Sequence, residues 1–89
     1  MKSYRFIIKG KVQGVFYRKS VAEKLNNLKV DGYVRNLPDK SVEVVVNIDE
    51  SMIEKIIEIL KEGSIYSDVK SIYKEEIKPI KINGFSIKY

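Results

Sequence analysis

The chain contains no cysteine and no histidine. Without cysteine there can be no disulfide, thiol nucleophile or cysteine metal site, and without histidine there is no imidazole base and no histidine ligand. These two absences exclude most of the familiar hydrolytic mechanisms. No apolar run approaches the roughly 20 residues that a membrane-spanning helix needs, and the first residues carry no secretory pattern because charge returns at Lys9. We therefore expect a cytoplasmic protein that has no membrane association.

Length and composition indicate one small, basic domain. Eighty-nine residues predict a single domain, residues 1–89, with one modest core. The hydrophobic fraction is 44% and the charged fraction is 33%, as in water-soluble globular proteins. The net charge of +5 suits an anionic ligand, with nucleic acid as one candidate. Because lysines and glutamates alternate along the chain, we favour a solvated surface of mixed charge, and no nucleic-acid partner.

Hydrophobic periodicity predicts a regular order of strands and helices. In chain order the predicted elements are a strand at 4–9, a helix at 18–27, strands at 30–36 and 42–48, a helix with an apolar stripe over 52–60, a strand at 67–77 and a short last strand at 85–89. Ser51 and Glu54 form a candidate capping box for the second helix, and Gly63 is placed to end it. The order predicts an α+β fold, a ferredoxin-like βαββαβ sandwich with an antiparallel sheet, both helices on one face and a short C-terminal strand.

The segment between the first strand and the first helix carries the clearest functional signal: Gly10-Lys11-Val12-Gln13-Gly14-Val15-Phe16-Tyr17-Arg18. Its glycines free the backbone, so that successive N–H groups can turn toward a bound anion. The helix that follows adds the positive end of its dipole, and Arg18 can place its guanidinium against two phosphate oxygens at once. The segment predicts a phosphate-binding loop. From these residues alone, a plain strand-to-helix connection with a solvated Arg18 has about equal weight.

The order of residues in this segment resembles the first signature of the acylphosphatase family. Further along the chain, Gly32-Tyr33-Val34-Arg35-Asn36 resembles the family's second signature, in the right order and at the right separation. The similarity extends to the last segment, 84–89, and covers essentially the whole chain. It implies an enzyme, a monomeric hydrolase that cleaves the carboxyl-phosphate bond of small acyl phosphates and releases inorganic phosphate without a metal or cofactor.

The resemblance also implies roles for single residues. In the family, the arginine that ends the first signature binds phosphate, and the asparagine that ends the second positions the attacking water. Arg18 and Asn36 stand at the matching positions and are the predicted catalytic residues. Judged by its position alone, Asn36 is more often an ordinary turn residue at the end of a strand. The predicted phosphate-binding residues, whose backbone matters more than their side chains, are Gln13, Gly14, Val15, Phe16, Tyr17 and Arg18.

Two residues depart from the family's pattern. Lys40 lies in a turn where glycine is usual, and a positive φ there would cost about 1 kcal/mol unless the turn takes another shape. Ser64 follows Gly63 where proline is frequent. Both are predicted to lie away from Arg18 and Asn36, with consequences for loop shape more than for catalysis.

Further expectations concern the remaining polar residues and the alternative functions. All of the carboxylates are predicted to be surface charges, because they form no metal or acid–base cluster. Tyr17 is predicted to tuck inward, and the Tyr89 carboxylate to approach Arg18 if the last strand lies beside the loop. One alternative function is an RNA-binding ferredoxin-like module, although the third strand lacks the stacking aromatics that such a module uses. The other is a phosphate-binding module without turnover.

Overall fold

A computed structural model describes all residues from 1 to 89. The elements confirm the predicted order, and their bounds lie within two residues of the predicted ones. Strand β3 has the predicted bounds, and β1 is longer than predicted at both ends. In chain order the elements are β1 (Lys2–Lys11), α1 (Tyr17–Asn27), β2 (Asp31–Asn36), β3 (Val42–Ile48), a 3₁₀ turn (Glu50–Met52), α2 (Ile53–Glu62), β4 (Asp68–Ile77) and β5 (Phe85–Lys88).

The five strands form one sheet in the order β4-β1-β3-β2-β5. Strand β1 pairs antiparallel with β3 and β4, and β3 pairs antiparallel with β2. The predicted antiparallel sheet is confirmed for β1 to β4, and the short C-terminal strand β5 adds to it parallel to β2. Strands β4 and β5 are the two edge strands of the sheet. The 78–84 segment connects them by running past the strand ends where β4 finishes and β5 starts. On the way, the Ile80 carbonyl accepts a hydrogen bond from Asn47 at 2.8 Å, and the Gly84 N–H donates to the Asp31 carboxylate at 2.8 Å.

The hydrophobic core lies between one face of the sheet and both helices, as predicted. Helix α1 buries Val21 and Leu25, and α2 buries Ile56 and Leu60. Nineteen buried residues form a single cluster, in which these side chains meet the inward-facing residues of β1, β2 and β3. This layer holds the N-terminus of α1 against the ends of the central strands. Neither helix has the length and apolar character that crossing a membrane would require.

The two ends of α2 differ in how well they were predicted. Ser51 lies within the 3₁₀ turn, and neither Asp49 nor Met52, the residues at the N-cap positions, forms a side-chain cap hydrogen bond. The predicted capping box is therefore wrong, because the backbone bond from Met52 N–H to the Asp49 carbonyl, 2.9 Å, builds the turn instead. Gly63 ends the helix as predicted, with a φ of 53°. A Cβ atom added at this position would lie only 2.5 Å from the Tyr17 ring, so a side chain would clash there.

Glu43 is buried, contrary to the prediction that all carboxylates are surface charges. It lies on the sheet face opposite the helices, and only 3% of its side chain is exposed. Burial alone would raise the pKa of Glu43, but hydrogen bonds from the guanidinium groups of Arg5 and Arg35 outweigh this effect and lower the pKa below its ordinary value. Its partners lie on neighbouring strands, so the alternation within β3 does not reveal the pairing.

Candidate active site

The 13–18 loop, as we call the segment that leads from β1 into the first two residues of α1, turns twice through left-handed backbone conformations. The φ angle is 73° at Gly14 and 61° at Phe16. A Cβ atom at Gly14 would meet nothing within 4 Å, so the backbone there faces open space. Phe16 is the N-cap of α1 without a side-chain cap hydrogen bond, and the first turn of α1 has no acidic residue. Since the first N–H groups of a helix lack intrahelical partners, this loop is suited to binding an anion.

A cavity of about 280 Å³ opens beside the 13–18 loop. Its lining includes Gly14, Phe16, Arg18 and Lys19 from the loop and helix, together with Tyr89 from beyond β5. Two of these side chains are cationic, and the lining includes no acidic residue. Nowhere in the chain do three His, Cys, Asp or Glu side chains group as they would around a metal ion. The cavity is therefore chemically suited to a small anionic ligand.

Arg18 is the second residue of α1 and has no carboxylate partner. It takes part in none of the ion pairs of the structure, whereas the other two arginines share Glu43. Its guanidinium carbon lies 4.9 Å from the centroid of the Tyr89 ring, and its Nη1 lies 3.4 Å from the Lys88 carbonyl. The expected contact with the Tyr89 carboxylate is wrong, because the ring of Tyr89 makes the contact. The guanidinium charge is left without a counterion from the protein.

Asn36 is the last residue of β2 and lies at the same corner of the sheet as Arg18. The β2–β5 register pairs Arg35 with Lys88, one residue before Asn36, and Arg18 faces the Lys88 carbonyl. Asn36 shares the helix-covered face of the sheet with Val34, since side chains alternate along a strand. Its Oδ1 atom is buried and has no hydrogen-bond partner in the protein. A buried acceptor of this kind is costly unless water or a ligand donates to it.

The side chain of Gln13 joins the 13–18 loop to the turn that follows Asn36. Its Nε2 donates hydrogen bonds to the carbonyls of Leu37 and Ser41, each at 2.9 Å. The same turn holds Lys40 at a φ of 74°, the positive φ considered from the sequence. We predicted that Gln13 contributes mainly its backbone. Its amide side chain also matters, because it fixes the loop relative to the end of β2.

Ser64 also contacts the 13–18 loop, a contact that was not predicted from the sequence. Its Oγ donates to the Val15 carbonyl at 2.5 Å, and Ser67 Oγ closes the 64–67 turn by donating to the Ser64 carbonyl at 2.9 Å. No local pattern reveals the contact between Ser64 and Val15, because these residues are 49 positions apart. Tyr17 tucks inward as predicted; its hydroxyl donates to the Leu60 carbonyl at 2.7 Å, and burial raises its pKa.

Comparisons with known proteins identify the family to which the chain belongs. The acylphosphatase family model matches residues 4–87. An acylphosphatase of Borrelia garinii subsp. bavariensis is 39% identical over 94 aligned positions that cover 100% of both chains. One from Methanocella arvoryzae is 35% identical over 88 positions, covering 99% of this chain and 100% of the relative. The crystal structure of the acylphosphatase from Bacillus subtilis matches with a TM-score of 0.92 and 34% identity over 100% of both chains. The chain therefore belongs to the acylphosphatase family, which confirms the family and enzyme class predicted from the sequence.

Proposed function

We propose that this protein hydrolyses the carboxyl-phosphate bond of acyl phosphates through Arg18, Asn36 and the 13–18 loop. One observation carries the proposal: the loop, an arginine without a carboxylate partner and an asparagine with a buried, unpaired oxygen lie at the same corner of the sheet. Membership of the acylphosphatase family supports the same substrate class. The proposal includes residues 1–89 acting as one domain, as a cytoplasmic monomer, without metal, cofactor or nucleic acid.

The phosphate group of the substrate is proposed to lie against the 13–18 loop. Backbone N–H groups from Gln13 to Tyr17 donate to its oxygens, and the Arg18 guanidinium adds a charged, bidentate donor. These donors lie where negative charge must be stabilised during phosphoryl transfer, so that they stabilise the transition state as well as the bound substrate. The Tyr89 ring and the Lys88 carbonyl hold the guanidinium in place at the edge of the cavity.

Asn36 is proposed to position the attacking water. Its Oδ1 accepts a hydrogen bond from the water, and its Nδ2 can donate to a phosphate oxygen. The water oxygen bonds to phosphorus as the bond from phosphorus to the acyl oxygen breaks, and the electron pair of that bond leaves with the carboxylate. One water proton passes to a phosphate oxygen, so a dianionic acyl phosphate and water give a carboxylate and dihydrogen phosphate. Because an amide is not a base, the reaction depends on the good leaving group that a mixed anhydride provides.

The Asn36→Ala variant tests the water-positioning role. We expect kcat for benzoyl phosphate to fall by about 100-fold or more, as loss of a transition-state contact does elsewhere. Competitive inhibition by inorganic phosphate should persist, because the 13–18 loop and Arg18 are intact. Asn27→Ala, which changes an exposed asparagine at the end of α1, is the matched control and should turn over like the wild type. Full turnover by folded Asn36→Ala protein would show that Asn36 does not position the water.

A further inference from the structure

We propose that an aromatic surface beside the 13–18 loop binds the acyl group of the substrate and favours flat, apolar acyl phosphates. This inference rests on the proposed function and specifies the substrate class of the same site. The surface, called the aromatic rim below, consists of the side chains of Phe16 and Tyr66. Three features support it: the exposure of Phe16 at the cavity, its contact with Tyr66, and the hydrogen bonds that hold the two elements together.

Phe16 lines the cavity, yet 67% of the residue remains exposed to solvent. Its neighbours Val15 and Tyr17 are both buried, so the left-handed turn at Phe16 is what directs its ring outward. A bulky residue rarely adopts a positive φ. Strained backbone of this kind concentrates at ligand-binding sites, where the surrounding structure enforces it. An apolar ring held outward at the mouth of a cavity is available to be covered by an apolar part of a ligand.

The ring of Tyr66 extends the surface that Phe16 begins. The two ring centroids are 6.2 Å apart and the ring planes are inclined by 52°, a tilted arrangement favoured by aromatic pairs. Tyr66 is also 60% exposed, so little else in the protein covers it. The hydrogen bond from Ser64 to the Val15 carbonyl fastens the turn that carries Tyr66 to the loop that carries Phe16. The aromatic rim is thus attached directly to the phosphate-binding loop.

The polarity of an acyl phosphate determines which of its ends can reach this surface. The loop N–H groups and Arg18 attract the anionic phosphate, which leaves the acyl group at the mouth of the cavity. Phe16 lies at that mouth, and Ile87 and Tyr89 add further apolar atoms to the lining. A flat acyl group such as benzoyl can stack on an aromatic ring and remove both surfaces from water. An acetyl group has a single methyl and gains little from the same contact.

Benzoyl phosphate and acetyl phosphate, which share the phosphate and differ in the acyl group, test the inference. In Tyr66→Ala we expect kcat/KM for benzoyl phosphate to fall by about 3- to 10-fold through a higher KM. For acetyl phosphate, kcat/KM should stay at the wild-type value, as should inhibition by inorganic phosphate. Tyr66→Phe keeps the ring and should keep the preference for benzoyl phosphate. Tyr73→Ala is the matched control, because it also removes a tyrosine ring that is 58% exposed. Tyr73 lies in the middle of β4, where it pairs with Ile7, and is not part of the aromatic rim.

A second variant makes the test independent of Tyr66. Phe16→Ala should lower the ratio of kcat/KM for benzoyl phosphate to that for acetyl phosphate in the same direction, with circular dichroism confirming the fold. An unchanged ratio in both alanine variants, alongside active wild type, would overturn the aromatic rim and leave the proposed function intact. A folded wild type that hydrolyses neither substrate would overturn the proposed function and this inference with it.

Discussion

Replacing Gln13 with alanine should detach the 13–18 loop from the β2–β3 turn while the protein stays folded. The change removes two hydrogen bonds of 2.9 Å, from Nε2 to the carbonyls of Leu37 and Ser41. Each carbonyl keeps a backbone partner, because the Leu37 carbonyl also accepts from Lys40 N–H and the Ser41 carbonyl from Leu37 N–H. No acceptor is left unpaired, so the free energy of unfolding should fall by only about 1–2 kcal/mol, the net value of two ordinary hydrogen bonds.

The effect of Gln13→Ala on catalysis should exceed its effect on stability. The distance between the loop and Asn36 depends on these two bonds, and a misplacement of about 1 Å can cost on the order of 100-fold in rate. We therefore expect kcat for benzoyl phosphate to fall by about 10- to 100-fold on the same grounds. Urea titration gives the change in stability, read as a shifted midpoint at constant slope, and steady-state kinetics at saturating substrate give kcat.

Asn47→Ala is the matched control for Gln13→Ala. Asn47 also has a partly buried amide side chain that donates to a backbone carbonyl, that of Ile80, but it lies at the other end of β3. It should lose a similar amount of stability and keep wild-type kcat. If Gln13→Ala and Asn47→Ala showed the same kcat, the proposed link between Gln13 and the geometry of the site would be refuted.

Two further predictions concern stability. Glu43→Gln removes the negative charge that Arg5 and Arg35 share, and should lower the free energy of unfolding, measured by urea titration, by about 1–3 kcal/mol. This loss is smaller than that for breaking a fully buried ion pair, because the two arginines are partly exposed. Since folding lowers the pKa of Glu43, the stability it contributes is present above its ordinary value of 4.5 and is lost as the pH falls through the folded-state pKa. The variant should therefore lose less stability than the wild type over that acid range, and equal losses would contradict the role of Glu43. Lys40→Gly removes the strain of a lysine at a φ of 74°. It should stabilise the protein by up to about 1 kcal/mol and therefore raise the melting temperature. An unchanged or lower melting temperature would show that the turn is not strained.

Local sequence signals were sufficient for the element order, and the resemblance of two segments to the signatures of the acylphosphatase family supplied the candidate catalytic residues. The alternating apolar residues of β3 fixed its bounds, and the helical stripe of α2 predicted the face that it buries. The order of residues in the 13–18 loop and at the end of β2 carries that resemblance, which implies the roles of Arg18 and Asn36. The element patterns and the two signatures all lie within short segments, in which neighbours in the chain are also neighbours in space.

The features that were missed depend on residues far apart in the chain. The direction of β5 follows from where the 78–84 segment crosses the sheet, and its anchors on Asn47 and Asp31 belong to other strands. The burial of Glu43 requires partners from two neighbouring strands. The contact of Ser64 with the loop exists only because α2 ends beside it. None of these produces a pattern within a single element.

The claim that Arg18 and the 13–18 loop hold a phosphate for hydrolysis is tested most directly by benzoyl phosphate turnover in the presence of EDTA. Wild type, Arg18→Gln and Arg35→Gln should be compared, because the control removes the same charge from a guanidinium already bonded to Glu43. We predict EDTA-resistant turnover in the wild type and in Arg35→Gln. In folded Arg18→Gln, turnover should be lower by on the order of 1000-fold, together with weaker inhibition by inorganic phosphate. Wild-type turnover in Arg18→Gln, or activity that disappears with EDTA, would contradict the mechanism.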